Sequence, residues 1–186
     1  MSPHHPLSPQ RIELNLPEVG QLFNTMDPSP FREKDLDHDA EEFIESWARE
    51  FPADAPLMVV LHLDEFPPEG NPQAMVTEAI RHYFAHRTLL NQMEFRRLMQ
   101  EGRRSLVVGL LFLGACLFLS DVLAHHFPGT LMGVLRESLT IGGWVAMWRP
   151  MEIYLYEWWP VKQHGKVLQK LSQVPVEVRQ RLKQPG

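Results

Sequence analysis

The chain has 186 residues, a formal net charge of -5 and a mean hydropathy of -0.23. This length is enough for one small domain plus a membrane element. The negative charge argues against a nucleic-acid partner, because no basic patch is interleaved with aromatic side chains. The single cysteine, Cys116, excludes an intrachain disulfide. The first ten residues lack the apolar core of a signal peptide, so the acidic part that follows is expected to stay in the cytoplasm.

The first part of the chain predicts a small β-α-β domain over residues 10–70, after a Pro-rich disordered lead over residues 1–9. Strict alternation of polar and apolar residues over 11–16 predicts a half-buried strand. Capping residues and acids from Asp35 onward precede apolar residues at helical spacing, which predicts a helix ending at Pro52. The continuous apolar run over 57–63 has the length of a buried central strand.

The aspartates at the start of the predicted helix also suggest calcium binding. Counted from Asp35, however, the sixth position is not Gly and the twelfth is Ser46, where a calcium loop needs Glu. The pattern therefore favours helix capping over a metal.

Two strands and one helix cannot cover both faces of a central strand, and a two-stranded sheet is marginal in water. This predicts a homo-oligomer through the domain, held together at high effective concentration by membrane anchoring. The alternative cover is the next helix of the same chain, through Val76, Ile80 and Tyr83.

The next segment predicts a stalk helix over residues 71–103 that continues into a transmembrane helix over 104–124. Asn71 and Pro72 open it as N-cap and first helical residue. From Ser105 to Ser120 the sequence holds no charged side chain. About 20 apolar residues at ~1.5 Å rise cross a bilayer core of ~30 Å.

An outer turn over residues 125–130 and a second transmembrane helix over 131–159 are predicted to follow. Basic residues flank the pair on both sides, so the positive-inside rule places both termini in the cytoplasm. The remaining residues, 160–186, predict a basic cytoplasmic tail that binds anionic lipids. The fold class is therefore α+β: a cytoplasmic domain, a stalk helix and a two-helix transmembrane hairpin.

The second predicted span carries a polar face, because its polar and small residues recur at helical spacing. The small residues favour close helix packing, whereas an Arg–Glu pair inside a bilayer suggests an ion or proton path. Aromatic residues at the inner end are typical of the membrane interface. The polar face comprises Ser138, Gly142, Ala146, Arg149, Glu152 and Tyr156, and the interfacial aromatic residues are Trp148, Tyr154, Trp158 and Trp159.

Four residues at the outer end, Asp121, His125, His126 and Glu137, form a possible metal site without a recognised motif. The only clustered candidates for catalysis are His62, Asp64 and Glu65, and no positioned nucleophile accompanies them. No nucleotide-binding or zinc motif is present, so we expect no cofactor.

Two segments carry a resemblance: residues 23–37, FNTMDPSPFREKDLD, and residues 135–150, LRESLTIGGWVAMWRP. Together they resemble a family of uncharacterised bacterial inner-membrane proteins with two spans, for which no activity is assigned. The resemblance implies a bacterial inner-membrane location. Because no catalytic motif is present and the second span carries a face of small residues, we expect a non-enzymatic, self-assembling membrane protein whose acidic cytoplasmic domain is an oligomerisation or partner-docking module. The alternative is an oligomeric channel or transporter lined by Arg149 and Glu152.

The topology can be tested directly. A reporter enzyme that is active only outside the cytoplasm, fused after Gly186, should be silent, because the basic flanks keep the C-terminus inside. Strong reporter activity would contradict the topology.

Overall fold

The computed structural model describes residues 9–24, 26–27, 34–52, 55–66, 71–126 and 129–181. The chain divides into two compact units, residues 1–91 with 164–186, and residues 92–163. The first is a mixed helix-and-sheet domain interrupted by the second, which is helical. The predicted lead falls almost wholly outside the described residues.

The sheet of the first unit has three parallel strands in the order β1-β2-β3. Strands β1 (Gln10–Leu16) and β2 (Leu57–Leu63) confirm the two predicted strands. Strand β3 (Val176–Gln180) lies where the sequence predicted a surface tail. That prediction is wrong for the described part of 160–186, because Val176 is buried against the helices while Glu177 points to the other face.

Two helix starts follow the predicted capping chemistry. Helix α1 (His38–Glu50) begins after Asp37, whose side chain accepts a 3.0 Å hydrogen bond from the amide of Asp39. Helix α2 (Pro72–His126) begins after Asn71, which accepts from the amide of Gln73 at 3.1 Å. The predicted stalk and first apolar span form this single helix. A short 3₁₀ helix, Val19–Leu22, follows β1.

The predicted continuous helix over residues 131–159 is corrected. Helix α3 (Thr130–Ala146) ends at Met147, helix α4 (Trp148–Glu152) leads into a π-helical turn (Ile153–Glu157), and helix α5 (Trp158–Leu171) continues beyond residue 159. Pro150 explains the break, because it has no N–H for the carbonyl of Ala146. The predicted turn over 125–130 is shorter, since α2 reaches His126; residues 127–128 lie outside the described part.

The helices of the first unit cover one face of the sheet. Alternate residues of the strands, such as Ile12 and Leu61, join one core with Ile44 of α1, Ile80 of α2 and Leu168 of α5. Two right-handed crossovers that step in the same direction across a sheet place both connections on the same face. The stalk helix, predicted as the alternative to a second copy on the face that α1 leaves open, lies instead on the same face as α1.

The second face of the sheet is polar. Glu13 of β1 and Glu177 of β3 are the register partners of Val60, which is nevertheless fully buried. Arg179 donates hydrogen bonds of 2.8 and 3.1 Å to Glu177, and these hold the pKa of that carboxyl below its usual value. On this face, charged residues of both neighbouring strands therefore flank the central strand.

The outer edge of β3 is closed by a side chain. The carboxamide of Gln73 accepts a 2.7 Å hydrogen bond from the amide of Val178 and donates to the carbonyl of Val176. Arg81 adds a 3.1 Å bond from Nε to the carbonyl of Val174. One glutamine thus occupies the positions that a neighbouring strand would fill, which protects the edge from pairing.

Replacing Gln73 by Ala should expose this edge. We expect a loss of about 1–3 kcal/mol in stability, because two backbone groups lose their partners, and faster hydrogen exchange at the amide of Val178. Gln92→Ala, at an exposed glutamine of the same helix, is the control. Unchanged exchange at Val178 would show that the edge does not depend on Gln73.

Candidate functional site

Arg149 is the centre of the polar cluster in the second unit. Its Nη2 lies 2.7 Å from Glu101 Oε1 of α2, and its Nη1 lies 3.2 Å from Glu152 Oε2. Nη1 also donates to Glu157 Oε1. Arg149, Glu101 and Glu152 are about half exposed, and Glu157 is about one-third exposed. The predicted Arg149–Glu152 contact is present, within a group of one cation and three carboxylates.

The π-helical turn brings Glu157 into this cluster. In an unbroken α-helix, at ~100° per residue, a side chain eight positions after Arg149 points ~80° away from it. The π turn accommodates one extra residue, so Glu157 takes the angular position of the seventh residue, ~20° away. Sequence periodicity missed Glu157 for this reason, and it missed Glu101 because that contact joins two distant segments.

Helix α3 packs against α2 in antiparallel orientation through glycines. A Cβ atom added to Gly143 would lie 2.9 Å from Leu113 Cδ1 and 3.1 Å from Cys116 Cβ. A Cβ on Gly109 would lie 3.0 Å from the carbonyl oxygen of Ala146. The two helices can therefore approach this closely only because glycine has no side chain at these two positions.

The predicted small-residue ladder divides between two faces. Ala146 contacts α2 within the pair, whereas a Cβ on Gly142 would meet nothing within 4 Å. Ser138 is exposed and donates to the carbonyl of Val134 at 2.9 Å. Tyr156 is 71% exposed. Gly143, which the ladder omitted, makes the contact inside the pair, and Ser138 with Gly142 lies on its outer surface.

The residues of the possible metal site are engaged with their own helix. His125 Nδ1 lies 2.9 Å from the carbonyl oxygen of Asp121, and His126 Nδ1 lies 3.1 Å from that of Val122. Across the described residues, no group of three or more His, Cys, Asp or Glu side chains is arranged to hold a metal ion. Glu137 of α3 is not brought into such a group.

The predicted interfacial aromatic residues surround the end of the helix pair. Trp148 is 72% exposed and Trp159 is 56% exposed, while Tyr154 packs close to the backbone of Gly102. The rings of Trp158 and Trp159 meet edge to face at 5.6 Å, and Lys162 Nζ lies 5.2 Å from the Trp158 ring centroid. Apolar rings beside a cationic group suit the boundary between hydrocarbon and water.

Ion pairs between largely buried glutamates and partly exposed basic residues join the helices of the first unit. Glu41 of α1 lies 2.8 Å from Arg87 Nη2 of α2. Burial and a hydrogen bond to Glu41 raise the pKa of the Tyr83 hydroxyl above its usual value. One turn later, Glu45 is only 7% exposed and its Oε2 lies 3.0 Å from Arg49 Nη2 and 3.8 Å from His164 Nδ1 of α5. These contacts connect α1 with α2 and with α5.

Of the suggested catalytic residues, His62 lies in β2, and Asp64 and Glu65 follow the end of that strand. His62 points to the polar face of the sheet, where its Nε2 lies 3.5 Å from Glu13 Oε2. Asp64 and Glu65 instead extend the ladder beyond β2, donating backbone hydrogen bonds of 3.2 and 3.0 Å to Leu16 and Pro17.

One helix, Pro72–His126, contains a stretch long and apolar enough to cross a membrane by length and composition. No family model, curated protein or solved structure matches the chain.

The raised pKa of Tyr83 predicts alkaline sensitivity. Because its folded-state pKa lies above the unfolded value of about 10, the stability it contributes is complete below that pH and falls as pH rises toward the folded value. Tyr83→Phe should reduce the loss in melting temperature above pH about 10, with Tyr154→Phe as the control. Parallel pH profiles for parent and Tyr83→Phe would contradict this.

Proposed function

We propose that the chain is a non-enzymatic membrane protein of the bacterial inner membrane that self-assembles. In this proposal the apolar part of α2 and helix α3 span the bilayer, both termini are cytoplasmic, and the domain of the first unit is an interaction module. The proposal is supported by the apolar stretch in α2, which is long enough to cross a bilayer.

The observation that carries the proposal is that two neighbouring glycines of α3 face different surroundings. Gly143 packs against α2 inside the helix pair, while Gly142 and Ser138 face outward. In a bilayer, an outward stripe of small residues permits close packing of another helix, whereas contact with lipid provides no comparable stabilisation. A second copy of the same pair is the partner that shared insertion brings to high local concentration.

The position of Arg149 favours a place at the boundary between membrane and water over a role in ion conduction. Its partner Glu101 precedes the uncharged stretch that begins at Ser105, so the guanidinium extends toward the cytoplasmic end of the pair. Such extension of an Arg to the headgroup level is the ordinary solution for a cation near a helix end. The alternative, a channel lined by Arg149 and Glu152, has less support, because three carboxylates of the same chain already neutralise the arginine.

Adjacent glycines provide a matched test. Gly142→Leu should shift the protein toward monomer, weakening association about tenfold for a lost helix contact of about 1–2 kcal/mol, with little change in the monomer's melting temperature. Gly143→Leu should lower the melting temperature, because Leu113 and Cys116 occupy the required space. Oligomeric state is measured by native mass spectrometry in detergent.

Two results would count against the proposal. If Gly142→Leu assembles like the parent, self-assembly through this face is wrong. If the parent conducts ions in liposomes and Glu152→Ala abolishes the flux, the channel alternative replaces it.

A further inference from the structure

The two edges of the three-stranded sheet differ. The edge of β3 is closed by Gln73, as described above. At the opposite edge, the amide of Gln10 donates to the carbonyl of Pro56, and the carbonyl of Leu16 accepts from the amide of Asp64, so both residues bond toward β2. Since backbone groups alternate along a strand, the N–H and C=O groups of Arg11, Glu13 and Asn15 point outward.

No hydrogen bond from another described residue reaches these outward groups. Strand β1 has seven residues, with no proline inside it and a regular register with β2. An unbulged strand with an open row of donors and acceptors is a template for pairing with another strand. The side chains decide which strand fits.

Arg11 and Glu13 make β1 complementary to itself. When two β1 strands run antiparallel with Ile12 opposite Ile12 of the second copy, each Arg11 stands opposite a Glu13. These are also the positions whose backbone groups face each other, so charge and hydrogen-bond registers coincide. A shift by two residues places Glu13 opposite Glu13 or Arg11 opposite Arg11, and like charges in directly opposed positions destabilise a sheet.

We propose that two copies of this chain pair through β1 in this register, forming a continuous six-stranded sheet. The inference rests on the proposed self-assembly and names the surface by which the domains take part. The occupant is a second copy because the charge pattern is self-complementary. Membrane anchoring in a common orientation keeps the partner close, so a short interface suffices.

Disulfide trapping tests the register in the full-length protein in native membranes, with Cys116→Ala as background. Arg11→Cys and Glu13→Cys chains carrying different tags are expressed together. A disulfide should join the two tags, because opposed Cα atoms in a hydrogen-bonded pair lie ~5.5 Å apart. Each variant expressed alone should give little dimer, since the same residue in two copies is offset along the strands.

Charge reversal tests the complementarity. Arg11→Glu should reduce disulfide-independent chemical crosslinking of the domains about tenfold, because two attractive pairs become repulsive. The double variant Arg11→Glu with Glu13→Arg restores opposite charges and should recover crosslinking. Glu13→Pro removes an outward N–H while leaving the ladder to β2 intact, and should abolish crosslinking in a folded protein.

The outcomes separate the two proposals. If the protein remains oligomeric but neither the mixed cysteine pair crosslinks nor the double reversal recovers, the β1 interface is wrong and self-assembly stands. If the parent is monomeric in membranes, both are wrong. Equal crosslinking of mixed and single cysteine variants also overturns the register.

Discussion

The position of β2 between two parallel neighbours is the constraint on which this structure depends. A central apolar strand must have its backbone groups paired on both sides. The chain provides β1 from before α1 and β3 from after α5. The first unit is therefore closed by two distant parts of the sequence, with the whole helix pair of the second unit inserted between them.

That arrangement leaves the sheet with one buried face and one polar face. The helices supply the apolar layer on one face, while Glu13 and Glu177 flank the buried Val60 in the neighbouring strands. The two edges are also treated differently, since Gln73 closes the edge of β3 and the edge of β1 stays open among the described residues. The asymmetry gives the domain one surface suited to backbone pairing.

Local pattern was enough to predict most elements. Alternation identified β1, an apolar run identified β2, and capping residues identified the starts of α1 and α2. Strand β3 was missed because its alternation of apolar and charged residues is too short to predict a strand by itself, and its pairing depends on a long-range ladder to β2. The Glu101 and Glu157 partners of Arg149 were missed because they depend on helix packing and on the π turn. The inward role of Gly143, in place of Gly142, likewise depends on the rotation of α3 against α2.

The placement of β3 after the helix pair has a consequence for biosynthesis. While the chain is being made, β2 emerges with a neighbour on one side only, and Gln73 has no strand edge to close. The second edge of β2 stays open until the helix pair and α5 have left the ribosome. The domain thus becomes complete only after the helices have been synthesised, so a chain truncated within them displays an unpaired apolar strand that chaperones and proteases recognise.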